Sequence, residues 1–171
     1  MNAIVAVDRQ WGIGKDNDLL VHLPGDLKYY REKTQGKCVV FGQRTLESLP
    51  GGKPLPNRNH IVLSDDPNFE IPLRANMKEG GEYRCILCAS KEKALEAMKD
   101  FEEVFICGGA SIYELFMDEC DSLYITRIDH AFNADRFFPT PEDNGFELAW
   151  ESETHEDNGY SYTFCRYDRV K

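Results

Sequence analysis

Asp26 stands at the mouth of a helix in Leu23-Pro24-Gly25-Asp26-Leu27-Lys28-Tyr29-Tyr30, and it is the residue of this chain best placed to do chemistry. Leu27, Tyr30 and the aliphatic stem of Lys33 recur at helical spacing, which predicts a helix that buries one face and holds a first-turn carboxylate between solvent and core. Such a carboxylate can bind a cationic or amidine-like ligand. Taken alone, though, a lone Asp here is more simply read as an N-cap or first-turn acid favoured by the helix dipole, and other segments must change that reading. Val104-Phe105-Ile106-Cys107-Gly108-Gly109-Ala110-Ser111 reads as a buried strand running through two glycines into a helix start, which turns backbone N–H groups toward an anion. It is not the three-glycine dinucleotide fingerprint, and Gly12-Ile13-Gly14 also lacks the third glycine. Phe41-Gly42-Gln43-Arg44-Thr45 is a second strand-to-helix junction, where Arg44 either grips a phosphate or is an exposed Arg on an ordinary capped helix.

The elements that must position these residues alternate. Strands are predicted over 2–8, 38–42, 61–63, 84–88 and 104–107, helices over 25–34, 44–49, 91–99 and 111–117, and a Gly-containing loop over 9–23. After Asp118 only strands follow, at 122–129, 146–154 and 159–168, with Asn158-Gly159 as a hairpin turn between the last two. That order predicts an α/β fold: a mainly parallel central sheet flanked by helices, with an antiparallel C-terminal hairpin, as one domain over residues 1–171. Residues 65–83, with Pro67, Pro72 and Gly80-Gly81, are long for a connection and read as a mobile surface segment.

Composition narrows the function classes. A chain of 171 residues with 42% apolar and 12% aromatic residues has the makings of one full core. The formal charge of -10 argues against nonspecific nucleic-acid binding, so an anionic ligand must be held by locally placed Arg or Lys. No apolar run approaches the roughly 20 residues of a membrane span, and Met1-Asn2-Ala3-Ile4 enters a strand without a basic segment or cleavage site, so no membrane partner and a cytoplasmic location are expected. Cys38, Cys85, Cys88, Cys107, Cys120 and Cys165 lie mostly in apolar or strand-like segments and read as buried free thiols. Cys85-Ile86-Leu87-Cys88 lacks the second pair a zinc site needs, and His22, His60, His130 and His155 form no ligand pattern, so no metal is expected. The Lys91–Lys99 helix, with Glu92 and Glu96, reads as a solvated face, and nothing in the pattern demands a second copy; a monomer is expected.

In order and spacing, the chain resembles dihydrofolate reductase along essentially its whole length. The segments that carry the resemblance are Ile4-Val5-Ala6-Val7, Gly12-Ile13-Gly14-Lys15, Leu23-Pro24-Gly25-Asp26-Leu27, Gly42-Gln43-Arg44-Thr45-Leu46-Glu47-Ser48, Pro54-Leu55-Pro56-Asn57-Arg58, Ile106-Cys107-Gly108-Gly109-Ala110-Ser111-Ile112-Tyr113 and Leu123-Tyr124-Ile125-Thr126. The resemblance implies a dihydrofolate-reductase-like fold, hydride transfer from NADPH to carbon 6 of dihydrofolate with protonation at nitrogen 5, a place in one-carbon metabolism, and a target for antifolates. It further implies that Asp26 pairs with the pterin 2-amino group and nitrogen 3, with water delivering the proton, and that Thr126 supports the acid. Ile4, Val5, Leu27, Tyr30, Leu49 and Cys107 would then meet the substrate, and Arg58 the α-carboxylate of its glutamate tail. On the coenzyme side it implies Ala6, Ile13, Gly14, Gly42, Arg44, Thr45, Ser64, Gly108, Gly109, Ala110, Ser111, Ile112 and Tyr113, a cis Gly108-Gly109 bond, and a loop from Arg9 to Leu23 that closes over the nicotinamide.

Three departures from the family pattern bear on function. Leu20-Val21 stands where the family usually has Pro-Trp, which removes an indole beside an ordered water; Trp11, earlier in the loop, is a candidate to fill that space. Gln43 and Asp65 stand where a basic residue, or a basic or hydroxyl residue, usually meets the phosphate that distinguishes NADPH, which leaves NADH use open. Cys107 replaces an aliphatic residue and behaves as a small hydrophobe. Two alternatives follow: a catalytically weakened pterin- or nucleotide-binding protein, and a related pyrimidine reductase of riboflavin synthesis, which would not need the Asp26, Thr126 and Arg58 set.

Overall fold

The computed structural model describes residues 1–16 and 19–171; Asn17 and Asp18, within the predicted loop 9–23, lie outside the described residues. The chain runs through β1 (Asn2–Val7), β2 (Gly12–Gly14), α1 (Pro24–Thr34), β3 (Cys38–Gly42), α2 (Gln43–Ser48), β4 (Asn59–Leu63) and β5 (Cys85–Cys88). It continues through α3 (Lys91–Met98), β6 (Val104–Ile106), α4 (Ala110–Phe116), β7 (Ser122–Ile128), β8 (Arg136–Phe137), β9 (Phe146–Glu151), β10 (His155–Asp157) and β11 (Tyr160–Arg169).

The short all-apolar runs of β1, β3, β4 and β6 are what strands covered on both faces require, and they form the parallel heart of the sheet. The spatial order is β10-β11-β7-β1-β6-β3-β4-β5, with β9 also pairing β11. All pairs from β7 to β5 are parallel, and β11 joins β7, β9 and β10 antiparallel. The predicted mainly parallel sheet with an antiparallel C-terminal hairpin is therefore the architecture found.

The period-2 alternation of each strand divides its residues between two layers. On one face Ala3, Val7, Val40, Ile106, Leu123 and Ile125 pack with Ala94 and Met98 of α3 and Ile112 and Phe116 of α4. On the other, Ile4, Val39, Phe41 and Phe105 pack with Tyr29 and Tyr30 of α1, while Ile128, Tyr162 and Phe164 pack with Leu23. Among the described residues α1 is the helix that covers this second face, joined by Leu49 and Leu55 from the chain after α2, and they border a cleft at the carboxyl ends of the parallel strands, where open α/β sheets hold ligands.

Several elements differ from expectation. The predicted strand 146–154 ends at Glu151 as β9, and β10 follows it unforeseen at 155–157, because Ser152 turns aside to bond β11: its N–H donates to Phe164 O at 2.8 Å, and its hydroxyl accepts from Phe164 N at 2.9 Å. Asn158 and Gly159 both have positive φ, 52° and 82°, as the hairpin turn requires. A small sheet of β2 and β8 went unforeseen. The segment 65–83 lies mostly on the surface, as expected, and has one buried anchor at Met77, with Arg74 Nε donating to Pro54 O at 2.5 Å and Tyr83 N to Asn76 O at 2.9 Å. Helix α1 does not bury the face that holds Leu27; that side chain is 47% exposed and walls the cleft.

Candidate active site

Among the described residues, five polar or charged ones are buried: Asp8, Thr34, Arg58, His60 and Thr126. A buried polar group must be hydrogen-bonded, so its partners show what it supports. Thr126, Thr34, Arg58 and His60 brace the walls of the cleft, and Asp8 secures the loop that leaves β1.

Thr126 lies on β7, on the face that α1 covers, and its hydroxyl donates to Asp26 Oδ1 at 2.6 Å. Asp26 thus turns inward, and its carboxylate does not cap its own helix. Burial pushes the Asp26 pKa up, and the Thr126 hydrogen bond partly offsets that shift. The result is a carboxylate at a water-poor cleft wall whose proton affinity is tuned upward, a known signature of functional acids. On the same sheet face Ile4, Tyr30, Leu49, Leu55 and Cys107 form one apolar cluster with Phe41 and Phe105. Leu55 is an addition to the predicted set. The Cys107 thiol is pushed up to about 12 by burial and is inert as a nucleophile at neutral pH.

The structure corrects two of the expected placements. Val5 points its side chain to the opposite layer, against the core of α3 and α4, so it can meet a substrate only through its backbone. Ile4 and Ala6, its neighbours, take the cleft face. Trp11 lies edge-on to Tyr167 at 6.1 Å and under the Arg127 guanidinium at 4.5 Å. Both partners are on the sheet face away from Asp26, so Trp11 does not fill the space of the absent indole. Val21 packs there instead, beside Leu23, Ala6 and Tyr29.

Arg58 closes the outer end of the cleft. Its Nε donates to Thr34 Oγ1 at 2.8 Å and its Nη1 to Pro56 O at 2.7 Å, while Tyr30 lies under the guanidinium at 6.0 Å. Thr34 in turn donates to Tyr30 O at 2.8 Å. Among the described residues no carboxylate pairs with Arg58. Burial lowers its pKa, yet an arginine stays charged, so a buried, braced guanidinium is left facing the cleft without a counter-anion.

His60 holds the loop that carries Arg58. Its Nε2 accepts from Leu55 N at 2.9 Å, which places the proton on Nδ1, 3.2 Å from Arg58 O. Burial depresses the His60 pKa to about 4, so the ring is neutral in the folded chain. The unfolded chain binds a proton near pH 6.5; this contribution is fully present above that pH and is lost as pH falls toward 4, by up to roughly 3 kcal/mol. The urea midpoint is expected to fall between pH 7 and pH 4.5, and to fall less in His60→Gln, which keeps an acceptor for Leu55 N. An equal fall in both chains would remove His60 as the cause.

The coenzyme-side residues converge at two helix starts. The Gly108-Gly109 bond is cis, as the resemblance implied, and Gly108 has φ 126°. Gly108 O accepts from Gly42 N at 3.0 Å, which ties the β6–α4 junction to the β3–α2 junction. A Cβ on Gly109 would come within 3.2 Å of Thr45 Oγ1, and one on Gly42 within 3.0 Å of Ile112. Neither α2 nor α4 has a side-chain cap, so their first N–H groups face outward with Arg44 and Ser111 beside them. This glycine-lined cradle with uncapped donors fits a diphosphate. Tyr113 is buried and donates to Ile4 O at 2.7 Å, which joins the two halves of the site. Ser64 donates to Gln43 Oε1 and accepts from Asp66 N at 3.1 Å, and Asp65 is exposed beside it.

Asp8 secures the loop that leaves β1. Its Oδ1 accepts from Gln10 N and Gly12 N, each at 2.8 Å, and its Oδ2 from Phe132 N at 3.0 Å. Asp135 continues the tie: its N–H donates to Gly14 O and its Oδ2 accepts from Asp16 N, each at 3.0 Å. Ile13 and Gly14 are thereby held in β2. Sequence reasoning passed over Asp8, Thr34, His60 and Asp135, since each is an isolated polar residue whose partner is distant or main-chain.

The comparisons with known proteins agree with this geometry. The family model described as dihydrofolate reductase matches residues 1–169. The chain is 36% identical over 168 residues to a dihydrofolate reductase of Bacillus subtilis, covering 97% of this chain and 92% of the relative. It is 37% identical to dihydrofolate reductase type 3 of Salmonella typhimurium, covering 93% and 91%. Among solved structures, a dihydrofolate reductase from Enterococcus faecalis complexed with NADP(H) and RAB-propyl superimposes with a TM-score of 0.84 at 32% identity, covering 99% of this chain and 96% of that one. A whole-length family match, with a buried acid, an unpaired guanidinium and a glycine-lined cradle at one cleft, places the chain in the dihydrofolate reductase family.

Proposed function

We infer that this chain reduces 7,8-dihydrofolate to 5,6,7,8-tetrahydrofolate with NADPH, acting as a single-domain monomer in the cytoplasm with no nucleic-acid partner. The observation that carries this reading is the Asp26 carboxylate, held by Thr126 at 2.6 Å in the apolar cleft beside the Gly108-Gly109 junction. Family membership and the NADP(H)-bound relative support it. NADPH, when bound, supplies the hydride to carbon 6.

The protein's own part is to bind, orient and exclude water. Asp26 accepts from the pterin 2-amino group and nitrogen 3, and its charge raises the proton affinity of the bound ring, so that water delivers a proton to nitrogen 5. Ile4, Leu27, Tyr30, Leu49 and Leu55 enclose the ring and its linker, and the Val5 backbone and the Cys107 carbonyl border the pterin. Arg58 pairs with the α-carboxylate of the glutamate tail. On the coenzyme, Ala6, Ile13, Gly14 and Tyr113 border the nicotinamide. Gly42, Arg44, Thr45, Gly108, Gly109, Ala110, Ser111 and Ile112 form the pyrophosphate cradle, and Ser64 approaches the adenosine ribose.

At the ribose the chain is permissive. Gln43 and Ser64 bond each other, and Asp65 puts a negative charge where a ribose phosphate would sit. An acid there repels a phosphate and accepts from a ribose hydroxyl, so NADPH is the better coenzyme by a reduced margin and NADH supports turnover. The first test is the loss of coenzyme absorbance with dihydrofolate, with NADPH and NADH in parallel, and coenzyme Kd from fluorescence quenching. Wild type turns over with both. Gln43→Arg combined with Asp65→Ser raises the NADPH to NADH preference by about 10–100-fold, the range of charge-assisted hydrogen bonds to a phosphate. Absence of turnover with either coenzyme would leave a pterin-binding protein, the reading that the missing loop indole favours.

A further inference from the structure

Helix α1, which carries Asp26, begins without a cap of its own: Leu23 sits at the N-cap position and has no acceptor side chain. The first N–H groups of any helix need acceptors from elsewhere. Here one comes from 132 residues away, since Asp157 Oδ2 accepts from Gly25 N at 2.8 Å. The same oxygen accepts from the Tyr162 hydroxyl at 2.6 Å. Asp157 ends β10 and lies opposite Tyr160 across the hairpin, and the next residue, Asn158, donates from Nδ2 to His22 O at 3.0 Å. The C-terminal hairpin is therefore bolted to the chain at the residues that immediately precede Asp26.

The fit is close. A Cβ on Gly25 would lie 2.1 Å from the Tyr162 hydroxyl and 2.8 Å from the Asp157 carboxylate, so the helix start approaches the hairpin only because residue 25 is glycine. Tyr162 is 3% exposed and packs with Leu23, Ile128 and Phe164. Phe164 stacks on Tyr29 of α1 at 4.0 Å between ring centroids, and it pairs in register with Thr126, the residue that donates to Asp26. Both contacts of β11 with α1 thus flank the Asp26–Thr126 hydrogen bond.

We propose that Asp157 is a positioning residue for the reduction: with Tyr162 it caps α1 from the hairpin and sets the depth at which Asp26 meets Thr126 and the pterin. This rests on the role of Asp26 proposed above. Asp157 touches neither substrate nor coenzyme and acts through Gly25, one peptide bond before the acid. Thr126 from β7 donates to Asp26, and Tyr29 of its own helix, Tyr113 of α4 and Tyr162 of β11 are titratable groups near enough to feel its charge. The Tyr162 and Gly25 bonds hold the Asp157 carboxylate below its usual range, so it stays charged while the enzyme works. Its removal lets the first turn of α1 loosen toward solvent, which relieves the burial that raises the Asp26 pKa and so favours ionised Asp26.

The test compares Asp157→Ala, Asp157→Asn and Tyr162→Phe in the full chain, with KM for dihydrofolate and NADPH, kcat, Tm and the pH profile of kcat/KM. Asp157→Ala is expected to raise KM for dihydrofolate about tenfold, the cost of losing a charge-assisted hydrogen bond at a helix start. The ionisation assigned to Asp26 moves to lower pH by about half a unit, and KM for NADPH stays within about twofold. Asp157→Asn keeps an acceptor and restores KM to within about twofold of wild type. Tyr162→Phe removes one bond, keeps the ring, and raises KM about threefold in the same direction; it decides the matter if Asp157→Ala does not fold. A lower Tm with KM for dihydrofolate and the pH profile unmoved would overturn the proposal and leave the hairpin contact a purely structural one. If Asp26→Asn itself moves neither, the parent reading fails; if Asp26→Asn moves both and neither hairpin variant does, only the positioning role fails.

Discussion

Asp26→Asn is expected to lower kcat/KM for dihydrofolate at pH 7 by about 10²–10³-fold while raising Tm by roughly 2–4 °C, the equivalent of about 1 kcal/mol in a chain of this size. The activity loss follows from replacing a charge that polarises the pterin by a neutral amide of the same shape. Thr126 still donates to Oδ1 of the Asn, so the local hydrogen bond at 2.6 Å survives and the loss is one of charge. The stability gain has the opposite physical source. Burial raises the folded-state pKa of Asp26 above its unfolded value, so the unfolded chain gives up this proton first and stability falls as pH rises through that window. An amide has no such cost. The pH profile must change as well: the ionisation that wild type shows in kcat/KM disappears in the variant. A variant with near-normal activity, or one that keeps the wild-type ionisation, would remove Asp26 from the chemistry.

The second large effect is at Arg58. Arg58→Leu is expected to raise KM for dihydrofolate by about 10²–10³-fold, since truncating one partner of a buried, hydrogen-bonded charge pair costs about 2–5 kcal/mol. The KM for NADPH stays near wild type, because the contacts of Arg58 are to Thr34, Pro56 and Tyr30 and not to the glycine-lined cradle. The decisive control is a dihydropterin without a glutamate tail. Wild type and Arg58→Leu should reduce it with similar kcat/KM, because the lost interaction exists only with the tail carboxylate. If the variant is equally impaired on both substrates, Arg58 acts by holding the cleft wall through Thr34 and Pro56 and not by binding the tail. These two substitutions separate the two carboxylate interactions of the site, one made by the protein's acid and one received by its base.

The sequence by itself determined the features that are local in chain. The Asn158-Gly159 turn was legible because two successive positive-φ residues have few tolerable side chains. The parallel strands were legible as short apolar runs between helices, and the Gly108-Gly109 and Gly42-Gln43-Arg44-Thr45 junctions as places where a strand hands over to a helix start. Thr126 and Arg58 became candidates through the family resemblance, and Asp26, already singled out at the helix mouth, drew its role from it, since each taken alone has an ordinary structural explanation. Tertiary structure decided what depends on pairing across long separations or on face. Thr126 reaches Asp26 across 100 residues of chain, Asp157 reaches Gly25 across 132, and no spacing rule connects either pair. Strands β2 and β8, of three and two residues, are too short to show a period, so their pairing appears only once Asp8 and Asp135 fold the loop against them. The side on which Val5 and Trp11 lie is a register outcome: with a period of two, one residue's offset moves a side chain from the cleft to the opposite core. Buried His60 and Thr34 look neutral in sequence because their work is done through main-chain groups and a neighbouring guanidinium, which only the packed chain brings within hydrogen-bond reach.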